Sequence, residues 1–154
     1  GTVPEGGERD AYLARLASIL KELNEYARPR NVRILIEVIN HYEVNIFNTA
    51  KETLEFLEHH GLDQCYVHLD TYHMGLEETD PYAAIRLCGK RLGYFHVADN
   101  TRRYPGSGQF DFTKILKTLA DVGYSGYVTV ECIPEPDRDT AAKKAIEHLM
   151  ACEP

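Results

Sequence analysis

The hydrophobic pattern of the chain switches repeatedly between two periods. From Glu8 to Ala27, Leu13, Leu16, Leu20 and Leu23 recur at three- and four-residue steps, with Tyr12, Ile19 and Tyr26 widening the stripe, which predicts an amphipathic helix. Arg28-Pro29-Arg30 ends it, because the residue before a proline avoids helical geometry. Val32 to Val38 then alternates as a strand. The same alternation repeats three times. Helices are predicted over Thr49 to His60, Asp80 to about Cys88, and from Asp111 through Val122, stopped by Gly61, Gly89 and Gly123. Strands are predicted over Cys65 to Asp70, Leu92 to Val97 and Tyr127 to Ile133, and Asp139 opens a last helix through Ala142, Ile146 and Leu149. The order α-βα-βα-βα-βα, with four strands and five helices, implies an α/β fold of parallel βα repeats with right-handed crossovers. Residues 1–154 read as a single domain, with Gly1 to Gly7 as a loose end.

Alternation along each strand separates two faces. Val32, Ile34, Ile36 and Val38, Val67 and Leu69, Phe95 and Val97, and Val128 and Val130 form an apolar side suited to packing under helices. The opposite side carries Arg33, Leu35 and Glu37, then Tyr66, His68 and Asp70, Tyr94 and His96, and Tyr127, Thr129 and Glu131. The last residue of each polar face is Glu37, Asp70, His96 and Glu131 in turn. In parallel α/β folds chemistry gathers at the carboxyl ends of the strands, so four parallel strands would bring these groups to one rim. Three carboxylates there repel one another unless a cation offsets them. Three carboxylates with one imidazole make a mostly hard donor set, suited to one divalent metal. Mn²⁺ or Mg²⁺ fits first, and Co²⁺ or Zn²⁺ is also possible. Any one of these acids taken alone is more often a helix cap or a surface charge than a ligand; it is the set of four on one face that points to a metal.

The 154-residue length allows one real core, and the 44% apolar and 27% charged content is that of a soluble globular protein. A net charge of -7 argues against nucleic acid or an anionic membrane surface as a partner. No apolar run reaches the ~20 residues of a membrane span, and no signal peptide opens the chain. Cys65, Cys88, Cys132 and Cys152 are scattered without a C-x-x-C pair, which points to reduced thiols and a cytoplasmic setting.

Four segments carry a family resemblance: EVINHYE (37–43), LDTYHM (69–74), FHVADNTRRYPGSGQFDF (95–112) and VECI (130–133). Together they resemble the xylose-isomerase-like (β/α)8 TIM barrels, and within them the ketohexose 3-epimerases of the D-tagatose and D-psicose group. The resemblance implies the C-terminal half of such a barrel, since a whole one takes about 250 residues. It implies one metal on Glu37, Asp70, His96 and Glu131, and an acid/base pair of Glu37 and Glu131 that exchanges the C3 proton of a ketose through a cis-enediolate. It also implies substrate contacts from Glu43, His73 and Arg102. On residue type alone, Glu43 reads as a solvated loop acid, His73 as a cap and Arg102 as a partner of Asp99. His68 reads as a core or supporting group one layer deeper. His41, His59, His60 and His148 read as surface or helix residues, and Pro105-Gly106-Ser107-Gly108 as a tight turn rather than a phosphate loop. The expected partners are a small ketose or related sugar. They also include a second copy, or a missing N-terminal half-barrel, to cover the strand edges left open. The alternatives on this scaffold are a sugar-phosphate isomerase, an inosose dehydratase, or a metal-binding half-barrel without turnover. An endonuclease IV-like repair enzyme ranks below these, because no Asp-x-His pair follows His96.

Overall fold

The structure is a computed structural model, and it describes residues 1–153. Four strands form one parallel sheet in the order β1 (Ile34–Glu37), β2 (Cys65–Asp70), β3 (Leu92–Val97), β4 (Val128–Val130). Among the described residues six α-helices accompany it: α1 (Arg9–Ala27), α2 (Ala50–His59), α3 (Thr71–Glu77), α4 (Pro81–Cys88), α5 (Phe112–Asp121) and α6 (Arg138–Ala151). Consecutive strands are neighbours throughout, as in a section of a barrel wall, and among the described residues β1 and β4 each pair on one side only.

The local chemistry accounts for the breaks. Thr49, Asp80, Asp111 and Asp137 each accept a backbone N–H from the first turn of α2, α4, α5 and α6 with a side-chain oxygen, which satisfies donors the helix itself leaves over. Gly61 and Gly123 close α2 and α5 at φ +65° and +73°, a conformation costly to residues with a Cβ. Val38, Val67, Leu69, Phe95 and Val97 are fully buried on the helix side of the sheet, against Leu57, Ile85, Phe112, Ile115 and Leu119. Each such side chain contributes about 1.5–3 kcal/mol of burial.

Several elements differ from the sequence reading. β4 is only Val128–Val130, and β1 starts at Ile34. A sixth helix, α3, follows β2 directly. Its start is Asp70 itself, whose Oδ1 accepts from Tyr72 N at 2.8 Å. The last helix begins two residues early, capped by Asp137, and buries Ala141, Ala145 and Leu149 while Ile146 is exposed. In α1 the buried positions are Ala17, Leu20, Asn24 and Ala27, whereas Ile19, Leu23 and Tyr26 face outward. The Asn24 amide is buried because it donates to Asp63 Oδ1 and accepts from Gln64 N, which pins the entry to β2. The opening segment is fastened at Val3, which exchanges two hydrogen bonds of 2.8 Å with the Asn45 side chain.

The register of β2 against β3 matters for the site. Val67 pairs with Leu92 but His68 pairs with Tyr94, so Gly93 is an extra residue in a bulge. A Cβ on Gly93 would lie 2.5 Å from Tyr66 Cβ and 2.7 Å from Leu35 Cδ2, so no larger residue fits there. Past the bulge, Asp70 stands opposite His96, and His96 opposite Thr129.

Candidate metal centre and active site

The four strand-end groups converge. Glu37 closes β1, Asp70 closes β2, His96 is the fifth residue of β3, and Glu131 follows β4 with its N–H on Val97 O at 3.1 Å. One donor atom from each lies within 4.8 Å of all the others. His96 Nδ1 is 3.9 Å from Glu37 Oε1, 3.7 Å from Asp70 Oδ2 and 3.4 Å from Glu131 Oε2. Donors bound to one ion at about 2.0–2.2 Å sit roughly 3–4.4 Å apart, so these spacings suit a shared ion with small inward movements. The polar atoms agree. Asp70 is fully buried, yet its Oδ2 has no hydrogen-bond partner, and neither has the buried Nδ1 of His96. Buried polar atoms are rarely left so, and an ion bound by both would satisfy them.

The charge balance of the site is carried by Arg102. Its Nη1 donates to Asp70 Oδ1 at 2.7 Å, and its Nη2 donates to Glu131 Oε2. Burial disfavours the guanidinium charge, but the two carboxylates together outweigh it and hold the Arg102 pKa above its usual value. Arg102 sits at φ +61°, at a cost of roughly 1–2 kcal/mol. Its backbone is held on both sides, by Arg102 N to Asp99 O at 2.8 Å and Ile133 N to Arg102 O at 2.7 Å. Burial, then the repulsion of Glu131, pushes the Glu37 carboxyl above its ordinary range.

His73 and Glu43 form a second group beside the first. Asn40 Oδ1 accepts from Tyr42 N at 3.0 Å, which fixes the amide so that Nδ2 donates to Glu43 Oε1 at 2.8 Å and to His73 Nδ1 at 2.7 Å. Nδ1 is therefore an acceptor, and the ring proton resides on Nε2, leaving His73 a hydrogen-bond donor. Burial pushes the His73 pKa down, which keeps the ring neutral. Glu43 itself is more than half exposed.

Three residues were undervalued in the sequence. Asn40 ties Glu43 to His73, and its position three residues past a strand-end acid was the available sign. Asp99 does not pair its carboxylate with the Arg102 guanidinium, which goes to Asp70 and Glu131. Its fully buried carboxylate instead accepts five backbone N–H groups, from Asn100, Gly106, Gly108, Gln109 and Phe110, and so builds the loop that carries Arg102. His68 lies edge-to-face on His96 with ring centroids 4.2 Å apart, and burial lowers its pKa to about 4. Of the other histidines, His41 is exposed and bonded to Glu77.

This parallel βα wall, with its donors at the carboxyl strand ends, coincides with a family model. The model describes a xylose isomerase-like TIM barrel and matches residues 1–152. The chain belongs to that family. Within the family it is 37% identical over 118 residues to an L-ribulose 3-epimerase of Methylomonas sp., covering 77% of this chain and 41% of that protein. It is 35% identical over 144 residues to an L-ribulose 3-epimerase of Mesorhizobium japonicum, covering 92% and 48%. The D-allulose 3-epimerase from Methylomonas sp., crystallised with D-allulose, superposes with a TM-score of 0.82 at 32% identity, over 90% of this chain and 55% of that one. The chain thus spans about half the length of these family members. No helix among the described residues is long and apolar enough to cross a membrane.

Proposed function

We propose that this chain is the metal-binding C-terminal half of a ketose 3-epimerase. Glu37, Asp70, His96 and Glu131 hold one divalent ion, manganese by preference of the donor set. The reading is carried by the four donors within 4.8 Å of one another, two of them with buried, unpaired atoms. The ion supplies Lewis-acid stabilisation of charge on the ketose carbonyl oxygen. The chain's own groups move the proton. Glu37 and Glu131 come from the two outer strands of the row, with Asp70 and His96 between them. One removes the proton at C3 and the other returns one from the opposite side, which inverts the carbon. Burial and then the repulsion of Glu131 raise the Glu37 carboxyl from its ordinary value, the direction that favours a proton carrier. Arg102 orients Glu131 and holds substrate hydroxyls. His73 donates its Nε2–H to a substrate oxygen, and Glu43 accepts from a substrate hydroxyl.

The polar face of the sheet is open on one side: Leu35 is 40% exposed and Tyr127 is 79% exposed. An apolar cleft of about 430 Å³ lies between α5 and α6, lined by Leu116, Tyr124, Val128, Ile146 and Met150. We propose that these surfaces are covered by a second copy or by an N-terminal half-barrel, which completes the sugar pocket.

The test is deuterium incorporation at C3 of a free ketohexose in D₂O, followed by NMR. It compares metal-stripped and manganese-loaded protein, with sedimentation velocity run alongside. Manganese-dependent exchange that is lost in Glu37→Gln and in Glu131→Gln is the expected result. Failure to bind any divalent ion, or a manganese-loaded, self-associated protein without C3 exchange, overturns the reading.

A further inference from the structure

One donor at the site stands outside the set assigned above. His68 is 7% exposed, and its Nε2 makes no hydrogen bond. Tyr94, the aromatic ring beside it, does not serve it, since its hydroxyl is engaged by Thr129 Oγ1 at 2.7 Å. In the strand register His68 stands opposite Glu37, one layer below Asp70. A ring nitrogen of His68, a carboxylate oxygen of Glu37 and a ring nitrogen of His96 all lie within 4.8 Å of one another.

We propose that Glu37, His68 and His96 form a second metal site that overlaps the first and selects zinc. Two imidazoles and one carboxylate make the three-ligand set that zinc takes with one position left open. The upper set, with three carboxylates, suits harder ions. The difference is sharpened by Arg102. Glu131 Oε2, the oxygen that faces His96, is bonded to its guanidinium, so an ion in the upper set competes with that cation for Glu131, although Asp70 keeps its Oδ2 free. The lower set contains neither residue, so zinc enters without disturbing Arg102. Because Glu37 and His96 belong to both sets, the two occupancies exclude each other. Zinc is then a competitor of manganese, seated away from Asp70 and Glu131. The inference shares two ligands with the proposed catalytic site but does not depend on its sugar chemistry.

Zinc and manganese affinities, measured by competition with a chromophoric chelator, test this on the parent chain and on His68→Phe, which keeps an aromatic ring against His96. Zinc affinity should fall roughly 10- to 100-fold, as for changes around other metal ligands, while manganese affinity changes less than about threefold. An anomalous map from zinc-soaked crystals of the parent chain gives an answer that needs no variant. It should place zinc about 2.0–2.1 Å from a His68 nitrogen. Zinc seated on Asp70 and Glu131 with His68 unbound, or equal losses for both ions in His68→Phe, overturns the inference and leaves the epimerase reading standing. His68-dependent zinc binding with no manganese binding has the opposite consequence. A chain that binds neither ion refutes both.

Discussion

Replacing Asp99 by Asn removes charge and keeps shape, so its effect follows from the hydrogen bonds alone. Oδ2 accepts from Gly106 N at 3.0 Å and Gly108 N at 2.8 Å. Oδ1 accepts from Asn100 N at 2.9 Å, Gln109 N at 2.8 Å and Phe110 N at 3.1 Å. In either amide orientation one oxygen becomes an NH₂ facing N–H donors, and at least two backbone donors lose their acceptor. Each unsatisfied donor costs about 1–3 kcal/mol, and the surviving bonds lose the assistance of the charge. The loop is partly exposed and can recover some of this from water, which sets the expected loss near 3 kcal/mol, at the lower middle of the range. With urea slopes of about 1–3 kcal/mol/M, the unfolding midpoint should fall by roughly 1–3 M. The loop positions Arg102 between Asp70 and Glu131, so tryptic cleavage at Arg102 or Arg103 should also speed up under native conditions. A midpoint within ~0.3 M of the parent, with an unchanged tryptic pattern, would refute the view that Asp99 holds this loop.

Three further outcomes are expected. Manganese at about 100 times its dissociation constant should stabilise the fold by about 3 kcal/mol, read as a rise in Tm. Asp70→Asn should abolish that rise while keeping the bond to Tyr72 N through its remaining oxygen. In metal-free protein the folded chain refuses a proton on His68 until about pH 4, whereas the unfolded chain takes it near 6.5. The unfolded state therefore binds more protons in that window, so stability falls as pH drops from 6.5 to 4, by up to roughly 3 kcal/mol. Urea titrations across that range should show the slope, and His68→Phe should flatten it. Gly108→Ala places a Cβ 2.4 Å from Asp99 Oδ1 and 2.2 Å from Asn100 Oδ1. It should lower Tm through the same loop, at a cost of about 1–3 kcal/mol.

What the sequence disclosed was what depends on period and position. The strand alternation ending in Glu37, Asp70, His96 and Glu131 was legible because a parallel sheet maps strand ends onto one rim. The β2 and β3 boundaries were legible from their apolar runs. The helix α3 was not, since it is one short segment with Gly75 inside it and no apolar repeat to mark it. Its one sign was Asp70, a good cap residue already read as a ligand; in the structure its side chain caps the helix. The buried stripe of α1 was misplaced because Leu23 and Tyr26 are apolar yet lie on a face left largely exposed among the described residues, with Arg30 stacked on the Tyr26 ring, while Asn24 is polar yet buried by its own hydrogen bonds. The Gly93 bulge, which brings Asp70 level with His96, depends on strand pairing and leaves no mark on alternation. Asp99 was misjudged because five of its partners are backbone groups, invisible to residue type.

Asp70 Oδ1 is held by both Tyr72 N and Arg102 Nη1, while Oδ2 is turned free. Two donors fix its carboxylate, so a cation arriving there would meet an oxygen whose direction was settled when the chain folded. The entropy of aiming that donor is spent during folding rather than at capture. The same arrangement makes a glutamate at this position a poor exchange, since the longer arm would have to abandon either the helix start or the direction of the free oxygen.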